Sequence, residues 1–239
     1  MKMRVFLLCG GEGSRLAPFT QFTPKVLLPI GGRPMLAWIV EKLRNENFRD
    51  LVILTNTRFE DQFRYHIGAM EAFFGVKVNM VLSANSEDLG TAGELIRAGE
   101  EGLLPDEAFM VYYGDILAKF SLTKMVQLHG KHNPAATLAV ALRLKSEKGV
   151  VKLAGGIWVR ALEEKPLIPL PNWCGIGVFN PAILQHAKTG DDFSRDVIPR
   201  ALKAGAKVVA FTFKEPYLDI GSISAYQEAC RMAKEGQIL

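Results

Sequence analysis

Short apolar runs alternate with amphipathic segments through the first half of the chain. Four of these runs have the length and composition of buried strands: residues 5–8, 51–55, 76–82 and 109–112. Helical spacing of apolar residues predicts three helices between them: over residues 34–45, through Phe59, Phe63 and Ile67, and over residues 89–101. This alternation is typical of an α/β fold, with a mostly parallel sheet and helices on both of its faces.

The pattern changes after residue 135. β-branched and apolar runs without clear helices follow at residues 137–142, 149–153, 157–162 and 174–179. We interpret these runs as a mixed, partly antiparallel extension of the sheet. We predict a further helix that begins over residues 193–199 with Ser194 as its N-cap, and a closing helix over residues 222–235. The sequence contains no internal repeat, low-complexity tract or linker, so a single domain over residues 1–239 is the simplest interpretation.

Length and composition narrow the class of protein. The 239 residues, 49% of them hydrophobic, suffice for one large α/β domain. A net charge of +4 is too weak to indicate a nucleic-acid partner and is better assigned to an anionic small molecule. No apolar run approaches the ~20 residues of a membrane span, and the start of the chain does not resemble a signal peptide. Three widely spaced cysteines argue against a disulfide framework, so we expect a soluble, cytoplasmic protein.

A glycine-rich segment follows the first strand directly. Gly10, Gly11 and Gly13 let backbone N–H groups approach an anion, and glycine tolerates the positive φ values that we expect in such a loop. Arg15 then supplies a planar cation and Lys25 a point charge, both suited to phosphate oxygens. The combination indicates a triphosphate site. A plain glycine-rich turn with scattered surface cations is the alternative.

The same segment resembles a known family. Leu16 replaces the third glycine of a dinucleotide fingerprint, and no Gly-Lys-Ser/Thr follows as in a P-loop. Residues 10–30, GGEGSRLAPFTQFTPKVLLPI, instead resemble without a gap the signature of sugar-1-phosphate nucleotidylyltransferases, the NDP-sugar pyrophosphorylases. The resemblance implies a three-layer, Rossmann-like fold of the nucleotide-diphospho-sugar transferase type, with a nucleotide-binding half over about residues 1–135 and a sugar-phosphate-binding half over about residues 136–239. It also implies nucleotide-binding roles for Leu8, Gly10, Gly11, Gly13 and Ser14, and catalytic roles for Arg15 and Lys25.

A second motif lies before the helix predicted at residue 89. Gly90 and Gly93 bracket a helix start, where free N–H groups favour polar or anionic ligands, although a plain capped helix has the same spacing. The segment resembles the family's E-P-L-G-T-A-G motif, which lines the base and sugar pocket, with Asp88 in place of the proline. The resemblance implies nucleotide-binding roles for Gly90 and Thr91, and for Asn85 as the side chain that reads the base edge.

Two aspartates follow strand-like runs at separate places in the chain. Asp115 comes directly after the fourth run, at the edge of the sheet where open α/β folds bind ligands, although a turn-capping aspartate is equally compatible. The resemblance implies that Asp115 holds Mg²⁺ and takes part in catalysis. Residues 216–221, PYLDIG, resemble the motif that supplies the second magnesium ligand, which is Asp219 here. We therefore expect both carboxylates on the same edge of the sheet.

Three further segments resemble the family's sugar-phosphate motifs. Residues 163–166, EEKP, resemble the E-K-P motif, which implies sugar binding by Glu164 and phosphate binding by Lys165; a charged hairpin end is the alternative. Gly149 matches the glycine whose backbone lies close to the hexose, and Gly175 matches the glycine of an N-A-G-I-Y segment. The asparagine of that segment is missing, and Asn172, one place away, is a candidate substitute.

The resemblance implies Mg²⁺-dependent transfer of a nucleotidyl group from a nucleoside triphosphate to a sugar-1-phosphate, with release of pyrophosphate. GTP with mannose-1-phosphate or a related sugar phosphate is the favoured pair. UTP or dTTP with a hexose- or muramic-acid-1-phosphate is the alternative. The family's longer members append a left-handed β-helix, and we expect a stand-alone catalytic domain here. The sequence is compatible with a homo-oligomer.

Two other classes of protein remain open. A non-catalytic sensor of nucleotide sugars would share the fold, but we expect it to lose one of the metal carboxylates or the arginine. A dinucleotide-dependent oxidoreductase would need an acidic residue after the second strand, where the chain has Thr55-Asn56-Thr57. The spacing of His129 and His132 is weakly suggestive of zinc, without a cysteine or carboxylate cluster to complete a site.

Overall fold

The computed structural model describes residues 3–84, 87–146 and 148–238. Its strands, in chain order, are β1 (Arg4–Leu8), β2 (Pro29–Ile30), β3 (Arg33–Pro34), β4 (Asp50–Asn56), β5 (Lys77–Ser83), β6 (Phe109–Tyr113), β7 (Ile116–Ala118), β8 (Ala136–Ala141), β9 (Leu144–Lys145), β10 (Val150–Ala154), β11 (Trp158–Glu163), β12 (Leu167–Ile168), β13 (Asn172–Phe179), β14 (Val208–Phe213) and β15 (Tyr217–Asp219). Its α-helices are α1 (Met35–Asn45), α2 (Glu60–Phe74), α3 (Gly90–Glu100), α4 (Leu122–His132), α5 (Ile198–Lys203) and α6 (Ile223–Lys234).

Seven strands form one central sheet in the order β14-β8-β13-β6-β1-β4-β5. The pairs β1·β4, β1·β6, β4·β5 and β8·β14 are parallel. Strand β13 runs antiparallel to both of its neighbours, β6 and β8, and so lies between two parallel groups. The prediction of a mixed, mostly parallel sheet is confirmed.

The sheet is buried on both faces because its central strands are apolar on both sides. In β1 the side chains of Val5 and Leu7 join a cluster with α1, α2 and α4, whereas that of Phe6 joins a second cluster with α3 and α5. All three side chains are fully buried. The result is a three-layer arrangement of helices, sheet and helices, as expected from the alternation of apolar runs. None of the described helices is long and apolar enough to cross a membrane.

Most predicted elements lie within one or two residues of the observed ones, but the region after residue 190 differs. The cap of the helix there is Asp192, whose side chain accepts hydrogen bonds from the backbone N–H groups of Ser194 and Arg195. The prediction of Ser194 as the cap was wrong, because Asp192 is a better-placed acceptor two residues earlier. Residues 193–197 form a π-helical turn before α5. Sequence analysis did not identify β14 at all.

Candidate active site

The carboxyl ends of four strands open onto one cavity. Because parallel strands end at the same edge of a sheet, the last residues of β1, β4, β5 and β6 meet there. The cavity has a volume of about 570 Å³. The described residues that line it are Leu8, Cys9, Gly10, Gly11, Glu12, Lys25, Val26, Leu54, Asn56, Ser83, Glu87, Asp88, Leu89, Gly90, Thr91, Glu94, Tyr113 and Asp115. We call it the first cavity.

The glycine segment lies over the floor of the first cavity. The side chain of Asn56 donates a hydrogen bond of 3.1 Å to the carbonyl oxygen of Gly10, which holds the segment against the end of β4. Gly13 has a φ of 65°, but Gly10 and Gly11 have no positive φ, contrary to the expectation for the whole loop. A Cβ atom on Gly10 would lie 3.5 Å from Glu94 Oε1 and 3.6 Å from Thr55 Cα, which are ordinary van der Waals distances, so neither backbone conformation nor space requires glycine there.

Gly13 and Ser14 turn the chain away from the first cavity. Gly13 is the N-cap of a 3₁₀ turn over Ser14–Leu16, and its carbonyl oxygen accepts hydrogen bonds from Leu16 N and Thr20 Oγ1. This turn directs Arg15 to a second cavity, where a Cβ atom built on Gly221 would lie 2.7 Å from Arg15 Nη2. The predicted nucleotide-binding residues therefore do not all line the first cavity, since neither Gly13 nor Ser14 does so.

Lys25 and Asp115 form an ion pair at the edge of the first cavity, with both side chains largely buried. The turn that carries Asp115 is fixed from three sides. Gly114 N donates to Leu8 O at 2.9 Å, Ile220 N donates to Asp115 O at 2.9 Å, and the buried hydroxyl of Tyr112 donates to Ile116 O at 3.0 Å. A carboxylate held this firmly needs little reorganisation when a cationic or phosphorylated ligand arrives.

The two predicted metal ligands come together through a short antiparallel ladder. Strands β7 and β15 pair so that Asp219 lies opposite Ile116, the residue that follows Asp115. Residues 104 positions apart are thereby placed side by side, but in a two-stranded sheet separate from the central one, so Asp219 does not end a central strand as expected. Asp115 lines the first cavity and Asp219 lines the second, so the two carboxylates mark the boundary between them.

The second cavity, of about 1020 Å³, is the more cationic of the two. Its charged lining residues among those described are Arg15, Arg143, Lys145, Lys165 and Lys214, against Glu215, Asp219 and Glu228. In the first cavity the single described lysine, Lys25, stands against five carboxylates. A phosphorylated small molecule is therefore attracted to the second cavity, whereas the first favours a group rich in hydrogen-bond donors.

A two-stranded hairpin brings together three of the four predicted sugar-phosphate residues, Gly149, Glu164 and Lys165. Strands β10 and β11 pair Val150 with Glu163, so Gly149 and Glu164 adjoin; a Cβ atom on Gly149 would lie 3.2 Å from Glu164 Oε2. Lys165 has a φ of 45°, an uncommon conformation for a residue with a side chain, and lines the second cavity. Lys165 lines the second cavity, whereas the other three predicted sugar-phosphate residues line neither cavity.

Gly175 and Asn172 have structural roles. A Cβ atom on Gly175 would lie 2.9 Å from the ring of Tyr113, which itself lines the first cavity. The side-chain oxygen of Asn172 accepts a hydrogen bond of 2.7 Å from the hydroxyl of Tyr217, and its amide donates to the carbonyl oxygen of Leu170 at 3.0 Å. The side chain proposed as a substitute for the family's sugar-binding asparagine is thus already engaged with protein groups.

Thr91 joins the start of α3 to the loop before α5. Its hydroxyl donates to Asp192 Oδ2 at 2.9 Å and accepts from Phe193 N at 2.9 Å. Burial alone would raise the pKa of Asp192, but hydrogen bonds from Ser194 and Thr91 outweigh it, and the net pKa is lowered. Thr91 therefore positions the wall of the first cavity as well as lining it. Asn85, predicted to read the base, lies outside the described residues.

Substitution of Gly90 tests how closely the start of α3 packs against the loop before α5. It has a φ of 62°, and a Cβ atom on it would lie 2.3 Å from Asp191 O. Gly102, at the other end of α3, has a φ of 71° with nothing within 4 Å of a Cβ position. We expect Gly102→Ala to cost about 1–2 kcal/mol through backbone strain alone. Gly90→Ala should cost more, because backbone atoms of residue 191 must move as well. Urea unfolding of both variants measures the difference, and equal losses would contradict the close contact.

Two buried thiols, those of Cys9 and Cys174, are not activated as nucleophiles. Burial raises the pKa of the Cys9 thiol, which lies beside Asp115, and burial raises the pKa of Cys174 to about 12. Both thiols are therefore neutral at physiological pH and poor nucleophiles. His129 is buried with Nδ1 3.0 Å from Thr137 Oγ1, a core contact that gives it a structural role. Among the described residues no group of three or more potential metal-ligating side chains is present.

Sequence analysis missed three residues that shape the site. Tyr217 and Asp192 act through contacts with residues 45 and 101 positions away, and short motifs carry no signal of such contacts. Glu94 was missed because a glutamate within a helix is usually solvated. Here its carboxyl group lies behind Gly10, on the floor of the first cavity.

Comparison with known proteins places this geometry in a family. The family model for nucleotidyl transferases matches residues 4–236. A UTP–glucose-1-phosphate uridylyltransferase of Synechocystis is 27% identical over 96% of this chain and 63% of its own length. The mannose-1-phosphate guanylyltransferase catalytic subunit beta of Danio rerio is 30% identical over 92% of this chain and 61% of its own length. The chain thus spans less than two thirds of the length of these curated relatives.

Solved structures share the fold. A UDP-glucose pyrophosphorylase complexed with UDP-glucose has a TM-score of 0.75 at 20% identity and covers 99% of this chain and 100% of its own. HddC from Yersinia pseudotuberculosis, complexed with GMP-PN, has a TM-score of 0.74 at 20% identity and covers 96% of this chain and 98% of its own. With the family model matching nearly every residue, the chain belongs to the nucleotidyl transferase family.

Proposed function

We propose that the protein transfers a nucleotidyl group from a nucleoside triphosphate to a sugar-1-phosphate and releases pyrophosphate. The observation that carries the proposal is the pairing of β7 with β15, which sets Asp115 and Asp219 at the boundary of two cavities of opposite charge character. The base and ribose of the nucleotide occupy the first cavity, its phosphates extend to the boundary and toward Arg15, and the sugar phosphate occupies the second cavity. The names of the relatives in the family support this reaction class.

The reaction needs positioning and charge neutralisation more than covalent chemistry. An oxygen of the sugar phosphate attacks the α-phosphorus in line, forming a new P–O bond as the bond to the β-phosphate breaks and pyrophosphate leaves. A sugar-1-phosphate is already ionised at neutral pH, so no strong base is required. The buried, neutral thiols of Cys9 and Cys174 agree with a direct displacement.

The chain's cations counter the repulsion between the two anionic substrates. Lys165, exposed in the second cavity, attracts the sugar phosphate before the reaction. Lys25, beside Asp115, lies near the α-phosphate, and Arg15 neutralises charge that develops on the leaving pyrophosphate. Backbone N–H groups of Gly10 and Gly11 approach the nucleotide because neither residue has a side chain. Lys25, held by Asp115, and the backbone N–H groups are in place before the substrates bind, so their effect on the transition state is large.

The donor set at the cavity boundary fits Mg²⁺. Asp115 and Asp219 offer carboxylate oxygens only, and Mg²⁺ is commonly held by one or two carboxylates together with substrate phosphates and water. The absence of a larger ligand cluster among the described residues agrees with such a shared site. When bound, the ion neutralises phosphate charge and aligns the reacting oxygens. Asp115 also pairs with Lys25, so the carboxylate stays partly neutralised when the ion is absent.

GTP with mannose-1-phosphate or a related sugar phosphate is the substrate pair we favour. The relatives include both guanylyl- and uridylyltransferases, and UTP with glucose-1-phosphate is therefore the competing pair. The carboxylates of the first cavity favour a base that presents donors, and guanine presents more of them than uracil does.

Pyrophosphate release tests the proposed function. The protein is incubated with each of GTP, UTP, dTTP and ATP, combined with mannose-1-phosphate or glucose-1-phosphate, in the presence of Mg²⁺. We expect release that requires both substrates, with the highest kcat/KM for GTP and mannose-1-phosphate. Thermal shifts with the same ligands report binding separately, because a ligand that binds the folded state stabilises it. Binding of triphosphates without turnover of any pair would favour a nucleotide-sugar sensor.

A further inference from the structure

A partly buried carboxyl group behind the glycine segment lacks a complete set of hydrogen-bond partners among the described residues. Glu94 Oε1 accepts a hydrogen bond of 3.0 Å from Ser83 Oγ. Its Oε2 is buried and has no hydrogen-bond partner among the described residues. A buried carboxylate oxygen without a partner is costly and is usually retained for a reason such as ligand binding.

Glu94 lies on the floor of the first cavity, beside the glycine segment. Its Oε1 would be 3.5 Å from a Cβ atom on Gly10, and Glu94, Ser83 and Gly10 all line this cavity. Ser83 is itself fixed, since it is the last residue of β5 and its hydroxyl also lies 3.3 Å from Thr55 O. The carboxyl group is therefore held at a defined place on the cavity floor.

We propose that Glu94 determines base specificity by accepting hydrogen bonds from N1–H and the N2 amino group of guanine. The inference rests on the proposed function in assigning the first cavity to the nucleotide. The two donors stand side by side on one edge of guanine, and the two oxygens of a carboxylate match them as a bidentate pair. The terminal torsion of glutamate is broad, so a small rotation turns both oxygens toward the base while Ser83 stays bonded.

The other bases match a carboxylate less well. Uracil and thymine present one N–H group between two carbonyl oxygens, and those oxygens repel the carboxylate. Adenine and cytosine present one amino group next to a ring nitrogen that accepts. Guanine alone offers two adjacent donors. Burial raises the pKa of Glu94, and the hydrogen bond from Ser83 offsets part of that rise.

The test is equilibrium binding of GTP and UTP, with Mg²⁺ present, to the wild type and to Glu94→Gln. Glutamine keeps the size of the side chain and can still accept from Ser83, so the fold is retained. Its amide offers one acceptor and one donor, which match the lactam edge of uracil better than the donor edge of guanine. We expect the wild type to favour GTP by about 10-fold or more and the variant to lose that preference.

Glu100→Gln is the matched control, because Glu100 is an exposed carboxylate on the same helix, α3, and lines neither cavity. It removes the same charge, and the preference for GTP should remain. Equal binding of GTP and UTP by the wild type, or an unchanged preference in Glu94→Gln, would overturn the inference. The protein could also prefer GTP in a way that depends on Glu94 and yet release no pyrophosphate with any pair of substrates. That result would support base recognition by Glu94 and refute the transfer reaction. Failure of every triphosphate to bind would overturn both.

Discussion

Asp219→Asn is expected to lower Mg²⁺-dependent pyrophosphate release by about 10²–10³-fold while leaving the protein folded. Asparagine keeps the shape of the side chain and removes the negative charge that a cation needs at the cavity boundary. Asp219 is exposed at the end of β15, so the substitution disturbs no apolar packing. Asp115→Asn should cause a comparable loss of activity and a larger loss of stability, because it leaves the part-buried Lys25 without its carboxylate partner.

The assay compares initial rates with and without EDTA, and thermal melting checks that each variant is folded. The double variant should be little worse than either single variant if the two carboxylates act as one unit. Asp61→Asn is the matched control, since Asp61 is an exposed carboxylate in the first turn of α2, outside both cavities. Full activity in EDTA, or wild-type rates from both folded single variants, would remove the magnesium mechanism.

Arg15→Ala should lower kcat by about 10²-fold, with a smaller effect on KM for the triphosphate. The reason is that Arg15 is proposed to act on charge that develops as pyrophosphate leaves, and an interaction made only in the transition state appears in kcat. Steady-state kinetics with varied triphosphate at saturating sugar phosphate separate the two constants. A rise in KM with unchanged kcat would show that Arg15 binds the ground state instead.

Gly221→Ala tests the same residue without removing it. A Cβ atom on Gly221 would lie 2.7 Å from Arg15 Nη2 and 3.1 Å from Asp219 Oδ1, so the new methyl group displaces the flexible end of Arg15. We expect a fall in kcat in the same direction as that of Arg15→Ala, with little change in melting temperature. Gly68→Ala, where nothing lies within 4 Å of a Cβ position, should leave kcat unchanged. Wild-type kcat in Gly221→Ala would mean that the position of Arg15 does not matter for the reaction.

Elements of this fold were predictable where a few neighbouring residues in the sequence determine them. The buried strand at residues 5–8, the glycine segment after it and Asp115 after a later strand each follow from a few neighbouring residues. The meeting of Asp115 with Asp219 was predictable in outline, because each follows an apolar run. The β7–β15 ladder that joins them was not, since strands of three residues leave too short a pattern.

Contacts across the chain account for what sequence analysis missed. Glu94 is a polar residue on a helix whose burial depends on Ser83 and on the glycine segment, and neither is close to it in sequence. The direction of Arg15, toward the second cavity, depends on the 3₁₀ turn that begins at Gly13. A motif shows which residue types are present, but the surrounding structure determines which groups each side chain contacts.

The antiparallel strand β13 makes assembly of the sheet depend on the late part of the chain. Strands β1, β4, β5 and β6 can pair as soon as residue 113 is available, but β6 then remains an edge strand, and four of its five residues are buried in the complete fold. Unpaired apolar edges promote association between chains. Strand β13, residues 172–179, pairs with that edge. Strand β8 then pairs with β13, and β14 pairs with β8. During synthesis, the sheet formed by β1, β4, β5 and β6 therefore stays open to intermolecular pairing until residue 179 has emerged, and β13 is the segment that ends this exposure.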